Sequence, residues 1–369
     1  APISFALPMT GHRQGSAVLL GRVRFRQRRR GSRQAAAVAL GGASIWIDRQ
    51  LHPPLRLPAG GEVLVVARGE TLTGVAARLH EQGHLPRLLP LRLYVRYSGR
   101  SAIRAGEYRL IAGQSMLELL ARLERGDVIR YGITFPEGWT LAQWRMALAG
   151  EPRLRNLGGD LDAAQLAADL GIAQANPEGW FSPNTYFFVA GDSDRDILIR
   201  AYRRQREMLA TLWEQRSADL PYADPYQALI LASLVEKETG LAAERAEIAG
   251  VFVRRLRLGM PLQTDPSVIY GLGARYRGDL TRAHLAERTD YNTYVISGLP
   301  PTPIANPGDE ALRAAVAPAS GEALYFVARG DGSHQFSATL AQHRQAVRRY
   351  QLQPRADYRS APKPEATTP

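Results

Sequence analysis

The stretch "LILASLVEKETG", residues 229–240, decides how this chain is read. Residues 228–235 are apolar or small on every side, so a helix here belongs inside a protein. Its last turn nevertheless carries Glu236, Lys237 and Glu238, followed by Thr239 and Gly240. Gly240 predicts the helix end, in the left-handed conformation common just past a last turn. The two carboxylates are two residues apart, which sets their side chains roughly 200° apart around the axis. They cannot flank one bond as the carboxyl pair of a retaining glycosidase does, about 5 Å apart. At most one of them serves a site, and the other pairs with Lys237, Arg245 or a neighbouring arginine. A carboxyl in the last turn of a buried helix meets the negative end of the helix dipole and loses water, and both effects raise its pKa. A carboxylic acid kept protonated near neutral pH is what cleavage of a glycosidic bond requires. A buried structural salt bridge is the competing reading.

The rest of the sequence sets limits on that choice. The 369 residues show no internal repeat and predict two or three domains, with 45% hydrophobic residues to build their cores. There is no cysteine, which excludes disulfide scaffolds and thiolate metal sites. The net charge of +12 is concentrated partly in "RVRFRQRRRGSR", residues 22–33, directly before the apolar "QAAAVALGGASIWI", residues 34–47. Basic then apolar is the pattern of an inner-membrane anchor whose start stays inside. The apolar run is shorter than the roughly 20 residues of a membrane span, so an interfacial or signal-like segment is the alternative. The basic run by itself would also suit nucleic acid.

Residues 1–33 read as a disordered start, 34–47 as the segment at the anchor position, and 48–61, with "LHPPLRLPAGG", as a Pro/Gly linker. A small α+β module follows over 62–128. "EVLVVARGETLTGVAARLHEQG" predicts a strand, a turn at Gly69 and a helix capped by Thr71 or Thr73. "IRAGEYRLIAGQSMLELLARLERGD" predicts a strand around Tyr108, a turn at Gly113, and an amphipathic helix capped by Ser115. From 129 to 352 the pattern predicts a mixed α+β domain. It has a strand, a Pro-Glu-Gly turn and a helix capped by Thr140, then helix and loop over 153–175. "PEGWFSPNTYFF", 177–188, reads as a shaped loop. Helices are expected at 193–217, 225–239 and 241–258. A long irregular stretch over 259–310 is a functional candidate. A helix at 308–317, a strand, a hairpin turn and a helix from 338 close the domain, and 353–369 reads as a disordered tail.

"HEQGH", His80 to His84, matches the zinc-binding H-E-x-x-H pattern. That chemistry needs both histidines on one face of a continuous helix. Gly83 inside the motif and Leu85-Pro86 after it predict that the helix stops first, leaving two surface histidines at a helix C-terminus. No metal and no cofactor is assigned.

Longer motifs point further. "LASLVEKET", then "ERAEIAGVFVRRLRLGMPLQTDPSVIYGLG" (244–273), "YNTYVISGLPPTPIANPG" (291–308) and "HQFSATLAQH" (334–343) closely resemble the endolytic murein transglycosylases, the MltG or YceG-like family, as do the turns "FPEGWT" and "EGWFSPNTY". The resemblance runs over about residues 62–350. It implies a single-pass inner-membrane protein with a LysM-like module at 62–128 and a periplasmic catalytic domain at 129–352. It implies cleavage of the β-1,4 bond between N-acetylmuramic acid and N-acetylglucosamine inside peptidoglycan strands, leaving 1,6-anhydro ends, with a place beside the penicillin-binding proteins that polymerise glycan. Such a lyase needs one acid/base residue. The resemblance puts it on Glu238, with Glu236 as second choice. Gln263, Thr264, Asp265, Tyr291, Asn292, Thr293 and Tyr294 are candidate sugar contacts, with loop scaffolding as the alternative for each. Trp139, Trp180 and Phe181 suit either a glycan groove or the core. The chain departs from the family pattern in its short apolar run, broken by Gly41-Gly42, and at Asn184, where the family usually has Asp. A non-catalytic peptidoglycan-binding protein is the alternative function, and no nucleic-acid partner is expected.

Overall fold

The computed structural model describes residues 41–159 and 161–352. The basic start and the tail from 353 lie outside the described residues, as does the first half, 34–40, of the apolar segment 34–47. Among the described residues no helix is long and apolar enough to cross a membrane. The chain divides into two compact units between Ile129 and Arg130.

The first unit is built on one antiparallel strand pair, β1 (Glu62–Val66) and β2 (Gly106–Leu110), in register at Leu64 and Tyr108. Helices α2 (Leu72–Glu81) and α3 (Leu89–Ser98) lie between them in sequence, and α4 (Met116–Arg125) follows β2. Thr71 caps α2 by accepting from Gly74 N, and Ser115 and Glu118 form a capping box on α4. Leu119, Leu120 and Leu123 recur at helical spacing and are fully buried with Leu79, Val75 and Tyr108. Two parts differ from the sequence reading. Helix α3 was not anticipated, although Pro90 in its first turn is a helix starter. The Pro/Gly stretch after residue 48 does not hang free: residues 41–51 are helical (α1), and Ile47, Leu51 and Leu55 are buried in this unit's core.

The H-E-x-x-H match dissolves in this unit. Helix α2 ends at Glu81, and Gly83 turns the chain with φ 78°. His80 Nδ1 lies 2.7 Å from the Leu85 carbonyl oxygen, while His84 reaches the Arg56 carbonyl and, through Nε2, Glu62 at 2.7 Å. His84 is largely covered, so only His80 fits the expectation of a surface histidine.

In the second unit, helix α8 (Pro225–Glu238) is the axis. Every residue from Ala228 to Val235 is buried, against α7 (Asp194–Glu214), α9 (Ala242–Arg257), α10 (Asp265–Leu272) and α12 (Asp309–Val316). Between them in sequence lies the short α11 (Arg282–Ala286). Two antiparallel strand pairs, β3 (Tyr131–Thr134) with β4 (Thr185–Phe188) and β5 (Tyr325–Ala328) with β6 (His334–Ser337), complete an α+β architecture with α5 (Leu141–Ala149), α6 (Ala163–Leu170) and α13 (Leu340–Tyr350). Thr140 caps α5 in a capping box as expected.

Three expectations need correction here. The end of "PEGWFSPNTYFF" is strand β4, with Tyr186 and Phe188 buried in alternation. The stretch 259–310 is not irregular throughout, because Pro266 opens α10 instead of breaking it. Helix α8 does not end on a left-handed glycine. Thr239 leaves the helix extended, at φ −144° and ψ 136°, and its Oγ1 accepts from Leu241 N just before α9 begins.

Candidate active site

The end of α8 sends its two glutamates into different surroundings. Glu236 is buried and ion-paired to Arg245 at 3.1 Å, and it accepts a hydrogen bond from Gly308 N at 3.0 Å. Arg245 also reaches Glu137 at 2.9 Å. The backbone must come close at two points to allow this. A Cβ on Gly308 would lie 1.9 Å from Glu137 Oε1, and Gly138, with φ 75°, lies against the side chains of Glu236 and Lys237. Lys237 is exposed and donates to the Gly138 carbonyl at 3.3 Å. Burial raises the Glu236 pKa, and Arg245 and Gly308 N pull it back.

Glu238 points to the other side and remains partly open to solvent. No cation lies within ion-pair distance of it among the described residues, in contrast to Glu236. Burial pushes its carboxyl up to about 7. The Thr264 side chain and the more distant Arg255 favour its charged form, and the Asp265 carboxylate opposes it. Among the described residues the Thr264 hydroxyl is buried and makes no hydrogen bond.

Two loops form the wall beside Glu238. Gln263 N donates to the Thr293 carbonyl at 3.0 Å, and Thr264 N donates to Thr293 Oγ1 at 2.9 Å. Tyr294 donates its hydroxyl to Asp265 Oδ1 at 2.6 Å. Thr293 is fully buried and also contacts Ser267 Oγ at 2.9 Å. Asn292 is fully buried too. Its amide reaches the carbonyls of His284, Leu285 and Glu287, and its Oδ1 accepts from Tyr294 N. Tyr291 is half-buried, with its hydroxyl 2.8 Å from Thr302 Oγ1 and its ring 5.0 Å from that of Tyr270. Gln263 and Asp265 are exposed. Of the aromatics, Phe181 and Trp180 are buried and Trp139 packs partly covered against the same core. Asn184 spends its side chain on Thr185 N and its carbonyl on Phe135 N.

Sequence reasoning passed over one group. Glu178 is 3% exposed, accepts from Leu141 N, Asn306 Nδ2 and the Tyr270 hydroxyl, and forms no ion pair among the described residues. Burial pushes its carboxyl up to about 7 as well. A signal was present: "PEGW" occurs twice, at 136–139 and 177–180. Both copies are tied to the fully buried Asn306, one through Gly138 N and the Trp139 carbonyl, the other through Phe181 N and Glu178.

The YceG-like family profile matches residues 64–349, which include every residue of this site. The chain belongs to the YceG-like family. Among relatives, a protein of Bacillus subtilis named endolytic murein transglycosylase is 29% identical over 84% of this chain and 91% of its own length. A Streptococcus pneumoniae protein of the same name is 26% identical over 71% of this chain, which spans about half (53%) of that relative. A crystal structure of a YceG-like protein from Listeria monocytogenes is 26% identical, with a TM-score of 0.49 over 77% of this chain and 98% of that one.

Proposed function

We propose that this YceG-like protein is an endolytic murein transglycosylase, a lyase that cuts the β-1,4 bond between N-acetylmuramic acid and N-acetylglucosamine within peptidoglycan strands. The observation that carries this reading is Glu238: a carboxyl held near neutrality by burial, with no cation paired to it, at the open side of a buried helix. In the first step Glu238 gives its proton to the glycosidic oxygen as the bond to the anomeric carbon breaks. In the second, the Glu238 carboxylate takes the proton of the muramic 6-hydroxyl, whose oxygen bonds to the anomeric carbon and closes the 1,6-anhydro ring. No water and no second carboxylate is consumed, and the attack is intramolecular. The Thr264 hydroxyl suits both halves, since it accepts from the acid and donates to the carboxylate.

In this reading Gln263, Asp265, Tyr294 and Tyr291 face the sugar, and Thr264, Asn292 and Thr293 hold the wall in register. Glu236 is the structural partner of Arg245. The first unit, with its strand–helix–helix–strand order, is a LysM-like glycan-binding module. The reading further places the enzyme at the inner membrane, attached through residues preceding Ile47 with the catalytic unit in the periplasm, beside the penicillin-binding proteins whose strands it releases. Digestion of purified glycan strands followed by mass spectrometry tests the reaction. Internal fragments with anhydro-muramyl ends are expected. Reducing muramic ends would mean hydrolysis, and binding without cleavage would mean a non-catalytic peptidoglycan-binding protein.

A further inference from the structure

Gln263 is the one residue other than glycine with a positive φ, 53°, among the described residues. A side-chain-bearing residue holds that conformation only when its surroundings impose it. The surroundings here are specific. Arg255, on α9, is 7% exposed and makes no ion pair at salt-bridge distance among the described residues. Its Nη1 donates to the Leu262 carbonyl at 2.9 Å, to the Pro261 carbonyl at 3.2 Å and to Gln263 Oε1 at 3.3 Å. Its Nε donates to the Leu324 carbonyl at 2.7 Å, and the guanidinium lies 5.1 Å from the centre of the Tyr325 ring. One buried fork therefore grips three consecutive residues of the turn, and the Thr293 carbonyl secures Gln263 N from the other side. The next two residues are Thr264 and Asp265, the groups that act on Glu238.

We propose that Arg255 is a positioning residue for the reaction: it holds Gln263 in the left-handed turn that presents the Thr264 hydroxyl and the Asp265 carboxylate to Glu238. The inference rests on Glu238 being the acid. A glycine at 263 would take the same φ without strain. The chain has glutamine there instead, and the Oε1 that Arg255 grips is what the side chain adds to the turn. Arg255 also acts on Glu238 directly, since its charge favours the carboxylate that forms once the proton has been given.

The test uses the full chain with Arg255→Met, Gln263→Gly, Gln263→Val and the double variant Arg255→Met/Gln263→Gly. It reads kcat and KM on glycan strands across pH, with melting curves beside them. Arg255→Met should lower kcat about 100-fold, the loss expected when reacting groups are misplaced by about 1 Å, with KM little changed. The fall of kcat at high pH should move to higher pH, because a cation that favoured the carboxylate is gone. Gln263→Gly should lower kcat by clearly less than Gln263→Val does and melt no lower, since glycine takes this φ without strain. Gln263→Val, β-branched and unsuited to this φ, should lose as much as Arg255→Met. The double variant should recover part of the Arg255→Met loss. A folded Arg255→Met protein with wild-type kcat and pH profile overturns the inference, as does a Gln263→Gly protein as impaired as Gln263→Val. If Arg255→Met does not fold, the Gly and Val pair at 263 decides the matter. Turnover surviving in Glu238→Gln would instead remove the acid assignment on which the inference stands.

Discussion

The two sides of the last turn of α8 differ more than two residues of sequence would suggest. On one side Glu236 meets Arg245, Gly308 N and, through Arg245, Glu137. On the other Glu238 meets a hydroxyl and a carboxylate, with the nearest acting cation, Arg255, held among carbonyls. Burial raises the pKa of both. What separates them is what the site offers the charged form. Glu178 makes the comparison sharper. It matches Glu238 at about 7, yet it is sealed from solvent and surrounded by donors. A raised carboxyl alone therefore does not mark an acid catalyst; access to a substrate does.

The largest expected effect breaks that comparison directly. Glu238→Gln, nearly isosteric and unable to give a proton, should remove almost all turnover, roughly 10² to 10⁴-fold, with stability held or raised because an unfavourable buried carboxyl is gone. Glu236→Gln should do the reverse. It strips Arg245 of a buried partner, a change that costs about 3 to 5 kcal/mol when no other anion remains. The lower end is expected, because Glu137 stays. Turnover per folded molecule should persist. Thermal melts and anhydro-product yield on both variants decide this, and an active, destabilised Glu238→Gln would exchange the two roles.

Much of this arrangement was legible in the sequence. The apolar run of α8, its two divergent carboxylates, the caps Ser115 and Thr140, a cap at Thr71 or Thr73, and the pairing of one glutamate with a nearby cation, Arg245 among the candidates, all follow from spacing and side-chain chemistry. The failures have physical causes. Pro90 and Pro266 sit in the first turns of α3 and α10, where a proline costs no hydrogen bond, so these helices begin inside stretches that carry no apolar periodicity of their own. The α8 end was read from Gly240, yet the tight entry into α9 is made by an extended Thr239. Asn292 and Thr293 are candidate sugar contacts as polar loop residues, and scaffolding is the alternative reading for each. Their partners are carbonyls and hydroxyls up to 29 residues away in sequence, which no local pattern encodes. The same holds for Glu178, whose carboxylate partners come from three separate segments.

Glu178 yields the next effect, in stability against pH. A carboxyl raised from 4.5 to about 7 binds its proton more tightly folded than unfolded. Its stabilising contribution is therefore complete below about 4.5 and is lost as pH rises to about 7. The change is worth roughly 3 kcal/mol at this buried position. Glu178→Gln keeps an oxygen for Leu141 N and Asn306 Nδ2, and its amide can donate to the Tyr270 oxygen. Urea melts at a series of pH values should show the variant gaining on wild type between about pH 5 and pH 7, with turnover per folded molecule within a few-fold. Parallel pH curves for the two proteins would mean that Glu178 is ionised without penalty.

The smallest effect comes from the first unit and carries the opposite sign. Ser115 caps α4: its Oγ accepts from Glu118 N at 3.2 Å, while Glu118 Oε2 accepts from Ser115 N at 2.7 Å and from the Ser115 hydroxyl at 3.0 Å. Those bonds to the ionised form, the backbone one foremost, hold the Glu118 carboxyl below its ordinary value. Its contribution is present above about 4.5 and is lost as pH falls through the lowered folded value, in a range where the Glu178 contribution is already complete. Ser115→Ala should cost about 1 kcal/mol, the usual loss of a serine cap. It should also weaken the acid sensitivity of this unit, since the hydroxyl that helps hold Glu118 ionised is gone. Amide hydrogen exchange along α4 at pH 4 and pH 7 can read both effects locally. Protection factors that fall equally in wild type and variant on acidification would show that the cap, and not the carboxylate it organises, supplies all of the stability at this helix start.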